Sequence, residues 1–400
     1  MRLLLRVKQF ASVAVLVCAS ACDARTSAFG DVAARLPDGE PVPASPRHFV
    51  RIPTISCVNR VADTVRLSIL RGVTPLPAGA ESRAPAPTAW LPKRVTRAAA
   101  TSTGFAVLDE GAKELNIFSR DFSQRVRTRG DSLNGSGTLG HPVAMAVDHS
   151  GDTIWVLDAL PTRLVGFDRS GAQVRTVAIP TSGRQLALDR EGNFYVGRAI
   201  VVYRVRGDTT GREGIAVAVY DRDGKAKQPL VKFTAADLVP PRINTPGVIE
   251  LLLAAKENFV AVAYPASGVV DLFDVRGIGK RPARLHTTAR MCLPPGVIAA
   301  YKQQMDESTE ATRDWAWVPF ITDVFVHENG ELSVISNVVD RKGSYHLDRY
   351  SDRGDSSESV IIAKGGYRLP FPSFFVENDT NFIGIESDGG VVALRLERVH

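Results

Sequence analysis

This chain has little that announces chemistry. Seven histidines in 400 residues are spread too thinly for a zinc centre, which needs three protein ligands at one place. No G-x-S-x-G elbow and no H-E-x-x-H segment occurs, which leaves the corresponding serine-hydrolase and metalloprotease arrangements without support. An excess of one charge is also missing: 49 basic side chains stand against 43 acidic, and setting aside Arg2, Arg6 and Lys8 at the N-terminus leaves 46 against 43. With no Lys/Arg stripe interleaved with aromatics, nucleic-acid binding has no electrostatic footprint. The apolar stretch Phe10 to Val17 is too short to span a membrane as a helix.

What that N-terminus does contain is an export pattern: basic residues, the apolar stretch, then Ala19-Ser-Ala21 before Cys22. Residues 1–21 are therefore expected to be a signal peptide. Ala19-Ser-Ala21 fits ordinary cleavage, and Ser20-Ala21-Cys22 resembles a bacterial lipobox. Lipidation of Cys22 is preferred because cleavage alone would leave an exposed thiol in an oxidising compartment. The chain is expected to face the periplasm or cell surface as a membrane-anchored lipoprotein. Residues 22–47, rich in Pro, Ala, Gly and Asp, read as a tether. Cys57 and Cys292 form an even pair, suggesting one disulfide that would contribute roughly 3–5 kcal/mol on the chain-entropy model.

The body of the chain is repetitive. Phe118-Ser-Arg-Asp, Phe167-Asp-Arg-Ser-Gly, Tyr220-Asp-Arg-Asp-Gly, Phe273-Asp-Val-Arg-Gly and Tyr350-Ser-Asp-Arg-Gly recur at intervals of roughly fifty residues, with one longer gap. Each closes an alternating strand and opens a tight turn, Asp supplying a side-chain acceptor and Gly a positive φ. A second set falls between them: Val147-Asp-His-Ser-Gly, Leu188-Asp-Arg-Glu-Gly and Val326-His-Glu-Asn-Gly. Together they define units of four antiparallel strands, near residues 97–130, 143–180, 184–233, 248–287, 320–364 and 373–397. The expectation is an all-β, six-bladed β-propeller over 97–400, with a short helical insert at about 281–318, between blades 4 and 5. Thr64 to Leu70, within an N-terminal segment 48–96, alternates as a strand and would complete the short last blade. A monomer is expected.

The unit from Gly135 to Gly171, with its glycine-rich loop, Pro142 before the inner strand, Asp148-His-Ser-Gly151 hairpin and Asp158 closing the second strand, resembles an NHL-type repeat. As a whole, 97–400 is similar to the six-bladed propellers of the NHL and TolB-like group, a fold that hosts binding modules, lactonases and lyases. Gly135-x-Gly137-x-x-Gly140 also satisfies a dinucleotide fingerprint, but Pro142 and an alternating run follow where a helix is required.

The resemblance places a site at the end of the ring where inner strands begin and second strands finish. Asp109, Asp158, Arg198 and Glu386 fall there by register, with His141, Arg184, Glu250 and Asp323 arriving from neighbouring loops. These eight are the candidate ligand-binding residues. An unusually long second strand, Ala199 to Arg206, would project a hairpin beyond this mouth. The favoured reading is a binding module for an envelope protein, peptide or glycan, with no catalytic residue assigned and no cofactor expected. The alternatives are a lyase, a structural component of an envelope assembly, and a calcium-dependent hydrolase of the lactonase or esterase type. The last would hold Ca2+ through Asp109, Asp158 and Glu386.

Overall fold

The computed structural model describes residues 63–73, 93–120, 123–129, 139–198, 200–202, 214–233, 247–265, 267–291, 321–336, 345–363, 373–376, 381–385 and 391–398. Cys22, Cys57, Cys292, Glu386, the signal and tether segments, and 292–318 of the expected insert lie outside them.

β1 is Asp63–Val73. The first four-stranded sheet follows as β2 (Val95–Ala100), β3 (Gly104–Asp109), β4 (Glu114–Ser119) and β5 (Arg125–Arg129). The second is β6 (Pro142–Val147), β7 (Ile154–Ala159), β8 (Thr162–Phe167) and β9 (Gln173–Ala178). The third begins with β10 (Gln185–Leu188) and β11 (Phe194–Gly197), detours through β12 (Ile200–Val202), and returns as β13 (Gly214–Tyr220) and β14 (Val231–Phe233). β12 pairs instead with β15 (Gly247–Ile249). The fourth is β16 (Leu252–Lys256), β17 (Phe259–Tyr264), β18 (Val269–Asp274) and β19 (Arg284–Arg290). Then come β20 (Ile321–Val326), β21 (Leu332–Ser336), β22 (Tyr345–Tyr350) and β23 (Ser356–Ala363), followed by β24 (Ser373–Val376), β25 (Asn381–Ile385) and β26 (Val391–Arg398).

The result is an all-β propeller of four-stranded antiparallel sheets, with three departures from the sequence reading. The last two units are not separate sheets. β1 pairs antiparallel with β26 and, on its other edge, parallel with β23, joining them as β20-β21-β22-β23-β1-β26-β25-β24. Among the described residues the major sheets therefore number five, four of four strands and one of eight. Second, within the long second strand expected over Ala199–Arg206, the described residues Ile200–Val202 do not continue β11. β11 stops at Gly197, the Arg198 amide donates to the Ala216 carbonyl at 2.9 Å, and the chain leaves to form the separate β12–β15 pair. Third, residues 284–290 of the expected insert are a strand, β19, paired with β18. No helix long and apolar enough to cross a membrane is present among the described residues.

The repeat glycines do what the turns demand. Gly151, Gly171, Gly192, Gly224, Gly277, Gly330 and Gly354 all have φ between 69° and 85°, where a side chain would be strained. The preceding Asp accepts turn amides: Asp168 Oδ1 from Ser170 and Ala172 at 2.8 and 3.0 Å, and Asp221 Oδ1 from Asp223 and Lys225 at 3.0 and 2.9 Å.

Packing is face to face between successive sheets. Between the second and third, Trp155 meets Phe194 edge-on at 4.8 Å, and Val143, Leu157, Leu186 and Val196 fill the same layer. Equivalent layers join the first sheet to the second, the third to the fourth, and the fourth to β20–β22. Each such large side chain contributes on the order of 1.5–3 kcal/mol by leaving water. The first strands touch in cyclic order, β2, β6, β10, β16, β20, β24 and back to β2, so they surround a channel.

Candidate functional site

The first strand of each four-stranded sheet has a neighbour on one side only, so its other edge faces the channel. A cavity of about 400 Å³ occupies this space, lined by the inner strands with small, apolar and charged residues that include Arg97, Ala99, Met145, Asp148, Leu188 and Asp323.

At the mouth, Asp109 and Asp158 are fully buried, and both are spent on the fold. Asp109 accepts from the amides of Lys93, Arg94 and Ala112 at 2.8, 2.9 and 3.0 Å. Asp158 accepts from the amides of Gly140 and His141 at 2.9 and 2.5 Å and from the Arg163 guanidinium at 3.2 Å. In each case the acid ending a second strand fastens the segment that leads into its own first strand. Gly140 is fixed there because an added Cβ would lie 1.8 Å from the Leu160 carbonyl oxygen. Carboxylates engaged in this way do not fit a shared calcium site. Among the described residues, no group of three or more His, Cys, Asp or Glu is placed to hold a metal ion.

The neighbouring acid behaves differently. Glu110 is 8 % exposed, and no hydrogen bond to its carboxylate is present among the described residues. Instead two guanidinium groups and an imidazole, arriving at three different sheets, face it: Arg94 at 3.6 Å, His141 at 3.8 Å and Arg184 at 4.0 Å. These separations exceed a hydrogen bond, so the partners face one another without closing. His141 and Arg184 were legible as mouth residues. Glu110 and Arg94 were missed because each sits beside a strand end, where a charge reads as solvated surface.

Asp323 and Glu250 belong to another group, and Asp323, expected from a loop, lies instead within the inner strand β20. Asp323, 7 % exposed, gives one oxygen to the amide of Val324 at 2.8 Å. Burial pushes its carboxyl up to about 7, against the opposing charge of Arg97 and the Val324 hydrogen bond. Burial likewise lowers the Arg97 guanidinium, while Asp323 and Glu250 raise it. Arg97 was invisible to the sequence reading because it lies within an inner strand. Arg198 is exposed, and its charge acts on Tyr220, whose hydroxyl is pushed up by burial.

The opposite end of the channel carries its own cluster from the first hairpins of three sheets. Glu257 receives His149 Nδ1 and Arg190 Nη1 at 3.0 Å each, and its carbonyl accepts the Arg190 amide at 2.9 Å.

No protein-family model matches the chain, and no curated protein sequence matches it. Among solved structures it is similar to an inferred exported protein of Bacteroides fragilis, at 10% identity and a TM-score of 0.49, covering 84% of this chain and 96% of that one. A functionally unknown protein from Desulfotomaculum acetoxidans aligns at 11% identity and a TM-score of 0.40, covering 75% and 85%. A gluconolactonase from Xanthomonas campestris aligns at 13% identity and a TM-score of 0.41, covering 77% and 88%. These likenesses are too distant to bear on function.

Proposed function

We propose that this chain is an exported, lipid-anchored, six-bladed β-propeller of the NHL and TolB-like kind. It captures a protein, peptide or glycan of the cell envelope at the mouth of its ring. The count of six rests on the cyclic order of the inner strands, with β1 serving as the outer strand of the last blade while also bridging to β23. Export and anchoring rest on the N-terminal pattern ending in Cys22.

The observation that carries the binding role is the open cluster at Glu110. A buried carboxylate with no hydrogen-bond donor among the described residues, and two guanidinium groups and an imidazole 3.6–4.0 Å away, is a set of unspent polar groups aimed at one place. A ligand bearing hydroxyl or ammonium donors would satisfy Glu110, and its acceptors or anionic groups would meet Arg94, His141 and Arg184. The calcium-dependent hydrolase is the weaker reading because Asp109 and Asp158 are committed to backbone amides.

A photo-crosslinking amino acid at position 184 in cells tests the role. The expected result is a discrete adduct with an envelope component that disappears in Glu110→Gln. Failure to form any adduct, or formation of the same adducts from position 175 on an outer strand, would remove the mouth as the binding surface.

A further inference from the structure

We infer that the turn between β18 and β19 is a binding site for a phosphate group, held by the guanidinium groups of Arg276, Arg281 and Arg284. The site lies apart from the open cluster at the mouth and does not depend on it.

The repeat itself supplies the contrast that singles this turn out. At the corresponding turns of other sheets, Asp168-Arg-Ser-Gly171, Asp221-Arg-Asp-Gly224 and Ser351-Asp-Arg-Gly354, acids at least equal bases. The copy after Phe273 opens in the same way, with Asp274-Val-Arg276-Gly277. It then runs on through Ile278-Gly-Lys280-Arg281-Pro-Ala to Arg284, adding three bases and no acid.

The added stretch is fixed in place. Ile278 is buried in the layer between the third and fourth sheets. Its amide donates to the Val275 carbonyl at 3.0 Å, and its carbonyl accepts from Lys227 Nζ at 3.2 Å. Arg281 Nε donates to the Arg276 carbonyl at 2.8 Å, which ties down that side chain and leaves its terminal nitrogens for a ligand. Arg276 Nε meets both oxygens of Asp274, at 2.9 and 3.0 Å. That hydrogen bond holds the Asp274 carboxyl below the ordinary carboxylate range, and the Arg281 charge acts in the same direction. One carboxylate thus answers two arginines, while the side chain of Arg284 is exposed and has no ion pair or hydrogen bond among the described residues.

An open cleft of about 420 Å³ is lined by Asp274, Arg276, Arg281, Pro282 and Arg284, within the span of roughly 300–1,000 Å³ usual for small-molecule sites. Guanidinium forks match phosphate oxygens, and a dianionic phosphate offsets the cationic excess that Asp274 leaves. A carboxylate would bring only one charge and two oxygens to three arginines.

The test uses the full-length protein with inorganic phosphate and glycerol 3-phosphate as probes, by calorimetry at fixed ionic strength. At least one should bind saturably, and acetate should bind at least about tenfold more weakly. Arg284→Gln, which breaks no described contact of the fold, should weaken binding about tenfold through loss of a charge-assisted hydrogen bond. Arg353→Gln, at the position that corresponds to Arg276 in the β22–β23 turn, should leave it unchanged. Tighter binding of glycerol 3-phosphate would identify an esterified phosphate, such as a lipid headgroup, as the ligand. Equal or tighter binding of inorganic phosphate would identify the free ion, and either result supports the site. Absence of saturable binding by both probes would overturn the proposal, as would acetate binding as tightly, full affinity in Arg284→Gln, or an equal loss in Arg353→Gln.

Discussion

The two ends of the channel are built from the same three residue types and behave in opposite ways. At the far end Glu257, His149 and Arg190, from three hairpins, close to 3.0 Å and are reinforced by a backbone hydrogen bond. At the mouth Glu110, His141 and Arg184, also from three sheets, stop at 3.8–4.0 Å. The far-end charges sit on short hairpin turns, two of them carrying the repeat Asp and Gly and the third, Lys256-Glu257-Asn258, turning at Glu257 itself, so their side chains are delivered within bonding distance. Glu257 is even held at φ +53°, a backbone cost of order 1 kcal/mol that the closed contacts offset. At the mouth, His141 and Arg184 come from the connections between sheets and meet Glu110 in the β3–β4 turn, with Asp109 and Asp158 taking the nearby amides, so these three side chains do not close on one another. The closed cluster spends its polar groups on the fold, whereas the open one leaves them for the mouth ligand proposed above.

The comparison presumes an intact ring, and the largest effect should come from breaking it. Deleting residues 48–72 removes nearly all of β1, which pairs with both β23 and β26, and should abolish soluble, folded protein. A stable monomeric deletion variant would show that the sheet closes without it. Next in size is Asp158→Ala, which strands two backbone amides and the Arg163 guanidinium. It should cost about 3–5 kcal/mol in urea unfolding, far more than any change at the open cluster.

Between the two ends, Asp323 should make stability depend on pH. Its folded value of about 7 lies above the ordinary carboxylate value, so between about pH 4 and pH 7 the folded state keeps a proton that the unfolded chain has lost. Stability therefore falls as pH rises through this window, by up to about 4 kcal/mol for a shift of that size. Asp271, raised to about 6 by burial, acts in the same direction. Asp323→Asn should accordingly raise the melting temperature at pH 8 and change it little at pH 4; equal effects at both would assign the gain to packing instead.

The smallest effects sharpen the contrast itself. Glu257→Ala should cost about 1 kcal/mol, a modest loss because His149 and Arg190 are partly exposed. Glu110→Gln should leave stability within about 0.5 kcal/mol, because no hydrogen bond is lost, while removing ligand capture. Paired chemical-denaturation curves check both, and a Glu110 variant as destabilised as the Glu257 one would mean that the mouth cluster is structural.

Much of the fold was legible because turns are local. The Asp and Gly of each hairpin act within five residues, and alternation marks which face of a strand is buried, so strand limits could be read closely. Two features escaped that logic. The β12–β15 pair escaped because pattern alone does not say when a strand leaves its sheet. The β23–β1 pairing escaped because a parallel contact between residues nearly three hundred positions apart has no local signature. At the site, His141 and Arg184 were legible from the loops that enter the inner strands, whereas Asp109 and Asp158, placed by register, had the right position and a different task. Register places a carboxylate at the mouth but does not show which amides it meets.

By itself, then, the sequence determined the hairpins, the alternating strands and the repeat that makes them into sheets, because each depends on φ preferences and side-chain periodicity over a few residues. Only the tertiary structure decided which acids are spent and which are free. Closing the ring brings Arg94, Glu110, His141 and Arg184 to one place, and Arg97 and Asp323 to another, across separations along the chain that no short-range rule spans.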